Sequence, residues 1–472
     1  MTNWLPNLKQ GNGPLYIRLA DQMEDAIMDG GLAAGTKLPP QRNLAFDIGV
    51  TIGTISRAYA LLHERGLVSG EVGRGTYVLS RQEISPQASH DPVTASLVGT
   101  RPFSAPPGKI RFDSTAAPDV GQSAVMADIM AEIARELPSE ISSYTRSFPD
   151  HWYEAGARWL SDGNWSPSPD SVVPTLGAHA AIMAVLTAVT APGDKIVFEH
   201  LTFSQVSRAA GLVGRRTCLV ESDHDGILPD DFERVCIQQH PKVAFIMSSA
   251  QNPTLATLPL ERRKAIAGIA HKYGVWLIED NLYGAMDQKQ IPLLAELAPD
   301  RTFVVDGLSK AVAAGVRGGW VSCPPHFAQR IRIAHKMITG GLPFLLAELC
   351  ARLVLSGEAE RIWGLCRAEI SARESLARSV LAGHDFCSNP DIPFLWLKLP
   401  DPWLSGTFKN ALFNNGVLID DEDEFRAGRS DKTHHRVRLG FSPPGDRKTV
   451  ETGLTIVRQL LEMPSAGYDS VA

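Results

Sequence analysis

The first eighty positions carry apolar residues at helical spacing. Leu15, Leu19, Met23 and Ile27 fall on one face of a helix that is predicted to begin at Pro14. The elements predicted after it are a short helix over 39–49, a third helix ending at Gly66, and strands over 67–69 and 76–79. A glycine-rich turn joins the two strands, so the pattern predicts three helices followed by a β-hairpin.

From about Ile110 the pattern changes to short apolar runs separated by helical segments. The runs rich in β-branched residues cover 172–175, 195–198, 243–247, 275–278 and 302–305. Strands that are apolar along their whole length are typical of a parallel sheet with helices on both faces. The pattern therefore predicts an α/β domain with a mostly parallel sheet over 109–472.

The segment over 81–108 separates this domain from a first domain over 1–80. It contains five prolines, several serines and threonines, and little hydrophobic periodicity. This composition is typical of a flexible linker.

Composition adds a few limits. The chain has 472 residues, of which 44% are hydrophobic and 21% charged, and these are globular values. A net charge of -6 argues against a basic coat but allows a small DNA-binding module. The six cysteines form no Cys-x-x-Cys pair, which indicates a reduced protein without a zinc or disulfide framework, so no metal is expected. No signal peptide and no apolar segment of membrane-spanning length is evident, so we expect a cytoplasmic protein without membrane contact.

Three helices and a hairpin make a winged helix-turn-helix. The third helix would enter the major groove through the turns from Thr51 to Arg57, with Thr54 between them. Arg42 lies on the same predicted side, and Arg74 at the hairpin tip would reach a phosphate or the minor groove. Double-stranded operator DNA is the predicted partner. The alternative is a winged helix that makes only protein contacts.

This segment resembles the GntR family of bacterial regulators. The motifs that carry the resemblance are Pro14-Leu15-Tyr16, Gly35-x-Lys37-Leu38-Pro39, Arg42-x-Leu44-Ala45, Thr54-Ile55-x-Arg57-Ala58-Tyr59 and Gly73-Arg74-Gly75-Thr76. One position departs from the family. Thr51-Ile52 stands where the family usually has Ser-Arg, so the usual operator preference need not apply.

A lysine lies just beyond the last apolar run of the large domain. Burial of an unpaired charge is costly, so Lys310 can be driven neutral and act as a nucleophile toward a carbonyl. Ser309 and Arg317 offer donors suited to a phosphate. Together they indicate a site for pyridoxal phosphate, an aldehyde that carries a phosphate. A surface lysine at a strand-helix turn is the alternative.

Functional residue types follow the other predicted strands as well. Gly177-Ala178-His179 begins a helix, where backbone N–H groups can bind a phosphate. Phe203 follows the second strand, Asn252 the third, and Asp280 and Tyr283 the fourth. Because ligands of such sheets bind at the carboxyl ends of the strands, these residues are predicted to line one pocket.

The constellation resembles the fold-type I aminotransferases over about residues 110–465. The resemblance implies that Lys310 forms an internal imine with pyridoxal phosphate and that Asp280 pairs with its pyridinium nitrogen. It also implies that Asn252 and Tyr283 bond the phenolate oxygen and that Phe203 stacks on the ring. The residues that it assigns to the phosphate are Gly177, Ala178, His179, Ser309 and Arg317.

Two more distant residues gain a role from the resemblance. Arg438 would clamp a ligand carboxylate with a bidentate fork, and Tyr144 would reach the phosphate of a partner subunit. For Arg438 the alternative is a structural ion pair with the acidic run 420–424. That run is itself expected to be a solvated loop.

Some positions depart from the enzymes. Gly307 stands where a serine is often found, Phe203 stands where tyrosine is more common, and Ala178-His179 replaces a small-polar pair. Binding of pyridoxal phosphate is therefore a firmer expectation than efficient turnover.

A GntR head before an aminotransferase-like body is the plan of the MocR subfamily of bacterial transcriptional regulators. The resemblance implies a head-to-tail homodimer whose hold on DNA changes with pyridoxal phosphate, or with its aldimine with an amino-acid or amine effector. Three hypotheses remain open. They are a regulator that depends on pyridoxal phosphate, an active aminotransferase with a DNA-binding appendage, and a regulator that has lost the cofactor.

Overall fold

The computed structural model describes residues 6, 14–33, 35–65, 67–71, 75–79, 99–101, 105–163, 165–286, 291–430 and 432–463. The chain divides into two compact units, Met1–Gly99 and Thr100–Ala472. We call them the head and the effector domain. Within the described ranges, no helix combines the length and the apolar character needed to cross a bilayer.

The head is a winged helix-turn-helix, as predicted. Its elements are α1 (Leu15–Met28), α2 (Gln41–Asp47), α3 (Ile52–Glu64), β1 (Val68–Glu71) and β2 (Gly75–Val78). The two strands pair antiparallel, with Val68 opposite Val78. Leu19, Met23 and Ile55 are fully buried between the helices, which is the burial that their helical spacing predicts.

The effector domain is built on a seven-stranded sheet. Its strands are β4 (Val172–Thr175), β5 (Lys195–Glu199), β6 (Arg216–Val220), β9 (Val243–Ile246), β10 (Trp276–Asp280), β11 (Thr302–Gly307) and β12 (Gly319–Ser322). The order across the sheet is β4-β12-β11-β10-β9-β5-β6, and only the two pairs that include β12 are antiparallel. The mostly parallel sheet is therefore confirmed.

Helices cover both faces of this sheet. The helices of the effector domain are α4 (Gln122–Glu136), α5 (Pro138–Ile141), α6 (Asp150–Leu160), α7 (Gly177–Val189), α8 (Ser204–Leu212), α9 (Pro229–Gln239), α10 (Leu260–Tyr273), α11 (Leu294–Leu297), α12 (Ala328–Thr339), α13 (Phe344–Leu355), α14 (Glu358–Val380), α15 (Ser405–Asn414) and α16 (Arg447–Leu461). Phe303 and Val305 pack in a core with α7, whereas Val304 packs with Trp152 of α6 on the opposite face. Burial on both faces explains why the strands are continuous apolar runs.

A smaller antiparallel sheet completes the domain. Its order is β13-β14-β17-β16, and two further pairs join β3 to β15 and β7 to β8. The strands are β3 (Ile110–Arg111), β7 (Ser222–Asp223), β8 (Gly226–Ile227), β13 (Phe386–Ser388), β14 (Phe394–Lys398), β15 (Val417–Leu418), β16 (Asp420–Asp421) and β17 (Arg436–Gly440). Pairing of β16 with β17 sets Asp420 directly opposite Arg438.

In the described part of the predicted linker, Thr100 and Arg101 depart from a free tether. Both belong to the effector domain and are hydrogen-bonded to acidic side chains there. Charge pairing with residues more than 300 positions away holds them, and their local composition does not reveal this. Residues 81–98 and 102–104 of the predicted linker lie outside the described residues.

The helix α6 packs against β12 with no room for another carbon at Gly156. A Cβ there would lie 2.3 Å from Cδ1 of Trp320 and 2.6 Å from Cγ1 of Val172. We expect Gly156→Ala to destabilise the effector domain by about 1–3 kcal/mol through overpacking, and so to lower its thermal midpoint. The matched control is Gly268→Ala inside α10, where nothing lies within 4 Å and the midpoint should stay the same or rise. Equal midpoints for the two variants would contradict this packing.

Candidate functional site

Three of the proposed DNA-reading residues, Thr51, Thr54 and Arg57, lie at the start of α3, and Arg42 lies in α2. Thr51 caps α3, accepting from the backbone N–H of Thr54 at 3.3 Å and lying 3.0 Å from its hydroxyl. Arg42 and Arg57 are exposed, and the Arg57 guanidinium lies 5.9 Å from the centroid of the Tyr16 ring. These four remain predicted DNA contacts. Arg74, the proposed wing residue, lies outside the described residues.

Ten of the predicted site residues line one cavity of about 270 Å³ in the effector domain. The ten are Ala178, His179, Phe203, Asn252, Asp280, Tyr283, Ser309, Lys310, Arg317 and Arg438. Gly177 begins α7 immediately before them. Tyr144 does not line this cavity. Its side chain is 89% exposed, so a contact with a partner subunit stays a prediction.

The amine of Lys310 lies in a hydrogen-bonded chain. Its Nζ donates to Oγ1 of Thr115 at 3.0 Å, and this hydroxyl lies 2.6 Å from the hydroxyl of Tyr283. Desolvation by the surrounding protein, with the positive charges of Arg438 and Arg101, lowers the pKa of Lys310 to about 7. A large share of the molecules therefore carries an uncharged, nucleophilic amine at neutral pH.

Asp280 lies at the carboxyl end of β10 with little to neutralise it. Its side chain is 7% exposed and accepts a hydrogen bond from the backbone N–H of Leu282 at 3.2 Å. Burial raises the pKa of Asp280 to about 6, although the Lys310 charge opposes the rise. A buried carboxylate with so few partners suits a protonated ring nitrogen of a ligand.

The turn before α7 lies close to the backbone of β12, and the groups around it can bind an anion. Gly177 has φ of +77°, and a Cβ on Gly319 would lie 2.8 Å from the Gly177 backbone. Arg317 has φ of +50° and makes no ion pair with a carboxylate in the described part of the chain. Nδ1 of His179 is buried without a hydrogen-bond partner among the described residues. Backbone N–H groups, a free guanidinium and an unpartnered imidazole fit a phosphate.

The departure at Gly307 has a steric cause. A Cβ there would lie 2.5 Å from the carbonyl oxygen of Gly318 and 3.2 Å from Cα of Gly319. A serine at this position would therefore collide with the strand β12. The lost hydroxyl follows from how tightly β11 and β12 approach.

Arg438 makes the structural ion pair that was the alternative to a carboxylate clamp, and the clamp itself stays a prediction. Its side chain lines the cavity and is 3% exposed, which suits a carboxylate clamp. Nη1 also donates to Oδ1 of Asn252 at 2.8 Å, and Nη2 donates to Oδ2 of Asp420 at 2.5 Å. Nε is buried without a hydrogen-bond partner among the described residues.

The expectation of a solvated acidic loop over 420–424 is wrong for four of its five residues, because of these five only Asp423 is exposed. Asp420 is fully buried, and Asp421, Glu422 and Glu424 are 2–4% exposed. Cations surround these carboxylates, some from distant parts of the chain and one, Arg426, from just after the acidic run, and they make the burial possible. Burial would raise the pKa of Asp420, but Arg438 and Arg101 hold it below its usual value.

Thr115 and Arg101 are cavity residues that the sequence patterns missed. Both lie in the segment before α4, far from the motif residues. Thr115 contacts Lys310 from 195 positions away, and Arg101 contacts Asp420 from 319 positions away. Only the folded chain reveals such pairings.

Comparison with known proteins agrees with this arrangement. Residues 107–454 match the family aminotransferase class I and II, and residues 15–78 match the bacterial regulatory proteins of the gntR family. The HTH-type transcriptional regulator YdeF of Bacillus subtilis is 28% identical over 98% of this chain and 97% of its own length. The HTH-type pyridoxine biosynthesis transcriptional regulator PdxR of Corynebacterium glutamicum is 23% identical over 77% of this chain and 78% of its own. The chain belongs to the MocR subfamily.

Solved structures resemble the effector domain of this MocR-type chain. The α-aminoadipate aminotransferase LysN of Thermus thermophilus matches with a TM-score of 0.68 at 21% identity, over 78% of this chain and 94% of its own. An archaeal alanine:glyoxylate aminotransferase matches with a TM-score of 0.67 at 23% identity, over 75% and 91%. These likenesses confirm the aminotransferase fold.

The lowered pKa of Lys310 makes a prediction about cofactor uptake. Only the uncharged amine reacts with the aldehyde. The rate at which the cofactor-free protein takes up pyridoxal phosphate should therefore rise as the pH passes through about 7 and then level off. The visible absorption of the bound cofactor follows the rate. The same reaction with Nα-acetyl-lysine corrects for titration of the cofactor itself. A rate that keeps rising about tenfold per pH unit above pH 8, as for an ordinary lysine, would contradict the shift.

Proposed function

We propose that this chain is a DNA-binding transcriptional regulator that depends on pyridoxal phosphate and senses the cofactor or an amino compound at Lys310. One observation carries the proposal. A GntR-type head with an exposed α3 and a cavity built around Lys310 and Asp280 occur in the same chain. A DNA-reading module and a ligand pocket in one polypeptide are the parts that a ligand-controlled regulator requires.

The cavity residues fit pyridoxal phosphate at both ends. Lys310 would hold its aldehyde carbon, Asp280 its ring nitrogen, and Ser309, Arg317 and the α7 turn its phosphate. Phe203 would stack on the ring, while Asn252 and Tyr283 would bond the ring oxygen. When bound, the cofactor supplies an electron-withdrawing ring and a carbonyl group that amines can reach.

The effector we propose is an amino compound that carries a carboxylate. Arg438 supports this because its guanidinium lines the cavity, and a guanidinium binds carboxylates well. A head-to-tail homodimer is proposed alongside. The exposure of Tyr144 supports it by leaving that side chain available to a second subunit.

An active aminotransferase with a DNA-binding appendage is the second candidate. The retention of both Lys310 and Asp280 favours it, because transamination uses both groups. Multiple-turnover assays with candidate amino donors and a keto acid separate the two functions. Repeated turnover would favour the enzyme, whereas a single round would not, because a sensor retains that much chemistry.

A footprint on the DNA upstream of the chain's own gene tests the regulator. We expect a protected stretch whose extent or affinity changes when the cofactor, or one of a panel of amino acids, is added. In Lys310→Ala the protection should persist, because the head is unchanged. The response should vanish, because the residue that would hold the cofactor is gone. The proposal fails if the wild-type footprint is the same with and without cofactor and every panel member. A Lys310→Ala protein that keeps the visible cofactor absorption would contradict the assigned attachment site.

Arg57 offers a test of the DNA-reading surface. If its exposed guanidinium contacts a phosphate or base, Arg57→Ala should weaken operator binding by about 1–3 kcal/mol. If the contact is to a phosphate, the slope of log affinity against log salt should fall by about one. Fluorescence anisotropy over a salt series measures both quantities. Arg135→Ala, in an exposed arginine of the effector domain, is the control. Equal affinities and slopes for the two variants would show that Arg57 does not contact DNA.

A further inference from the structure

Thr100 and Arg101 are held by an unusually polar set of contacts. The backbone N–H groups of Thr100 and Arg101 both donate to Oε2 of Glu424, at 2.8 and 3.1 Å. The Thr100 hydroxyl donates to Asp421 at 2.5 Å, and Lys409 donates to the Thr100 carbonyl at 2.6 Å. The segment that leads from the head is therefore anchored where it enters the effector domain.

The Arg101 side chain continues from this anchor into the cavity wall. Its Nε and Nη2 donate to the two oxygens of Asp420, at 2.8 and 2.9 Å. Oδ2 of Asp420 also accepts from Nη2 of Arg438. Both arginines line the same cavity as Lys310. One fully buried carboxylate thus links the anchored segment to the proposed ligand clamp.

The charges of this cluster do not balance. Arg101 and Arg438 together carry two positive charges, and Asp420 between them carries one negative charge. The neighbouring carboxylates have cations of their own, since Glu424 pairs with Arg208 and Asp421 with Lys409. Arg101, Arg438 and Asp420 therefore keep one net positive charge beside the cavity that both arginines line. A ligand anion would relieve this excess.

We propose that Arg101 is a ligand-recognition residue, and that an effector carboxylate bound at Arg438 strengthens the hold of Arg101 on Asp420. The proposal rests on the proposed function, since it takes the cavity to be the effector site. The new element is a chain of contacts, from Arg438 through Asp420 to Arg101, that connects the occupied cavity to the segment leading to the head.

Electrostatics gives the direction of the effect. The guanidinium groups of Arg101 and Arg438 are both bound to Asp420 and repel each other. A carboxylate beside Arg438 offsets that repulsion. Arg101 is then bound more firmly, and by linkage the anchored Arg101 raises the affinity for the carboxylate. The cavity should therefore prefer an amino acid over the amine that lacks the carboxylate.

Titration with a matched pair of ligands tests this recognition. L-Alanine and ethylamine differ by the carboxylate, and the absorption spectrum of the bound cofactor follows their binding. We expect the wild type to bind L-alanine more tightly, and Arg101→Gln to lose about tenfold in affinity for L-alanine with little change for ethylamine. Arg101→Lys keeps the charge and should retain most of the affinity.

The control variant is Arg262→Gln. Arg262 binds both oxygens of Asp223 in the same bidentate manner, at 2.6 and 2.8 Å, but does not line the cavity. Thermal midpoints of all variants check that they fold. The proposal is overturned if the wild type does not prefer L-alanine to ethylamine, or if Arg101→Gln and Arg262→Gln bind L-alanine equally.

Hydrogen exchange at the anchor gives a readout that does not depend on cofactor spectra. The amides of Thr100 and Arg101 should exchange more slowly when L-alanine is bound, and ethylamine should have no such effect. In Arg101→Gln the slowing should disappear; its persistence there would contradict the coupling. DNA affinity is recorded separately. If these results hold while L-alanine leaves wild-type DNA affinity unchanged, the proposed regulation fails and the coupling stands.

Discussion

Lys310 lies just beyond the carboxyl end of β11, a central strand of the seven-stranded sheet. The surrounding protein and two nearby guanidinium groups disfavour its ammonium form. The same positive surroundings attract the anionic groups that the cavity is proposed to bind. A lysine in water would be charged and unreactive at neutral pH, and an arginine in water would hold a carboxylate only weakly. Enclosure by the effector domain changes both properties together.

Asp280 and Asp420 each offset part of the positive charge around the cavity, in different ways. Asp280 has few partners, so it remains free to pair with a cationic part of a ligand. Asp420 is hydrogen-bonded to both Arg101 and Arg438 and has a structural role. One acid therefore belongs to the cofactor site, and the other joins the cavity wall to the segment that leads from the head.

Much of this arrangement could be predicted from the sequence, because its cause is local. Strands such as β9 and β11 are buried on both faces, so they appear as unbroken apolar runs, and the residues after them must meet at one edge. The helices of the head show their buried faces through the spacing of Leu19 and Met23. The strand-end residues from Asn252 to Lys310 were found in this way.

Other features could not be predicted, because their cause lies far away in the chain. The strand β16 consists of two aspartates and has no apolar signal, and its burial depends on arginines such as Arg101 and Arg438. Thr115 has no motif around it and becomes important only through its contact with Lys310. The glycine at 307 is explained by the backbone of β12, which the sequence did not reveal as a strand.

The central claim is that the occupied cavity controls the hold on DNA. The most direct measurement titrates one amino acid while recording the cofactor spectrum and the operator affinity of the same sample. If one binding event drives both, the two curves share a midpoint, and bound DNA shifts the amino-acid affinity by the reciprocal factor. A saturated spectral change with no change in operator affinity would contradict the account.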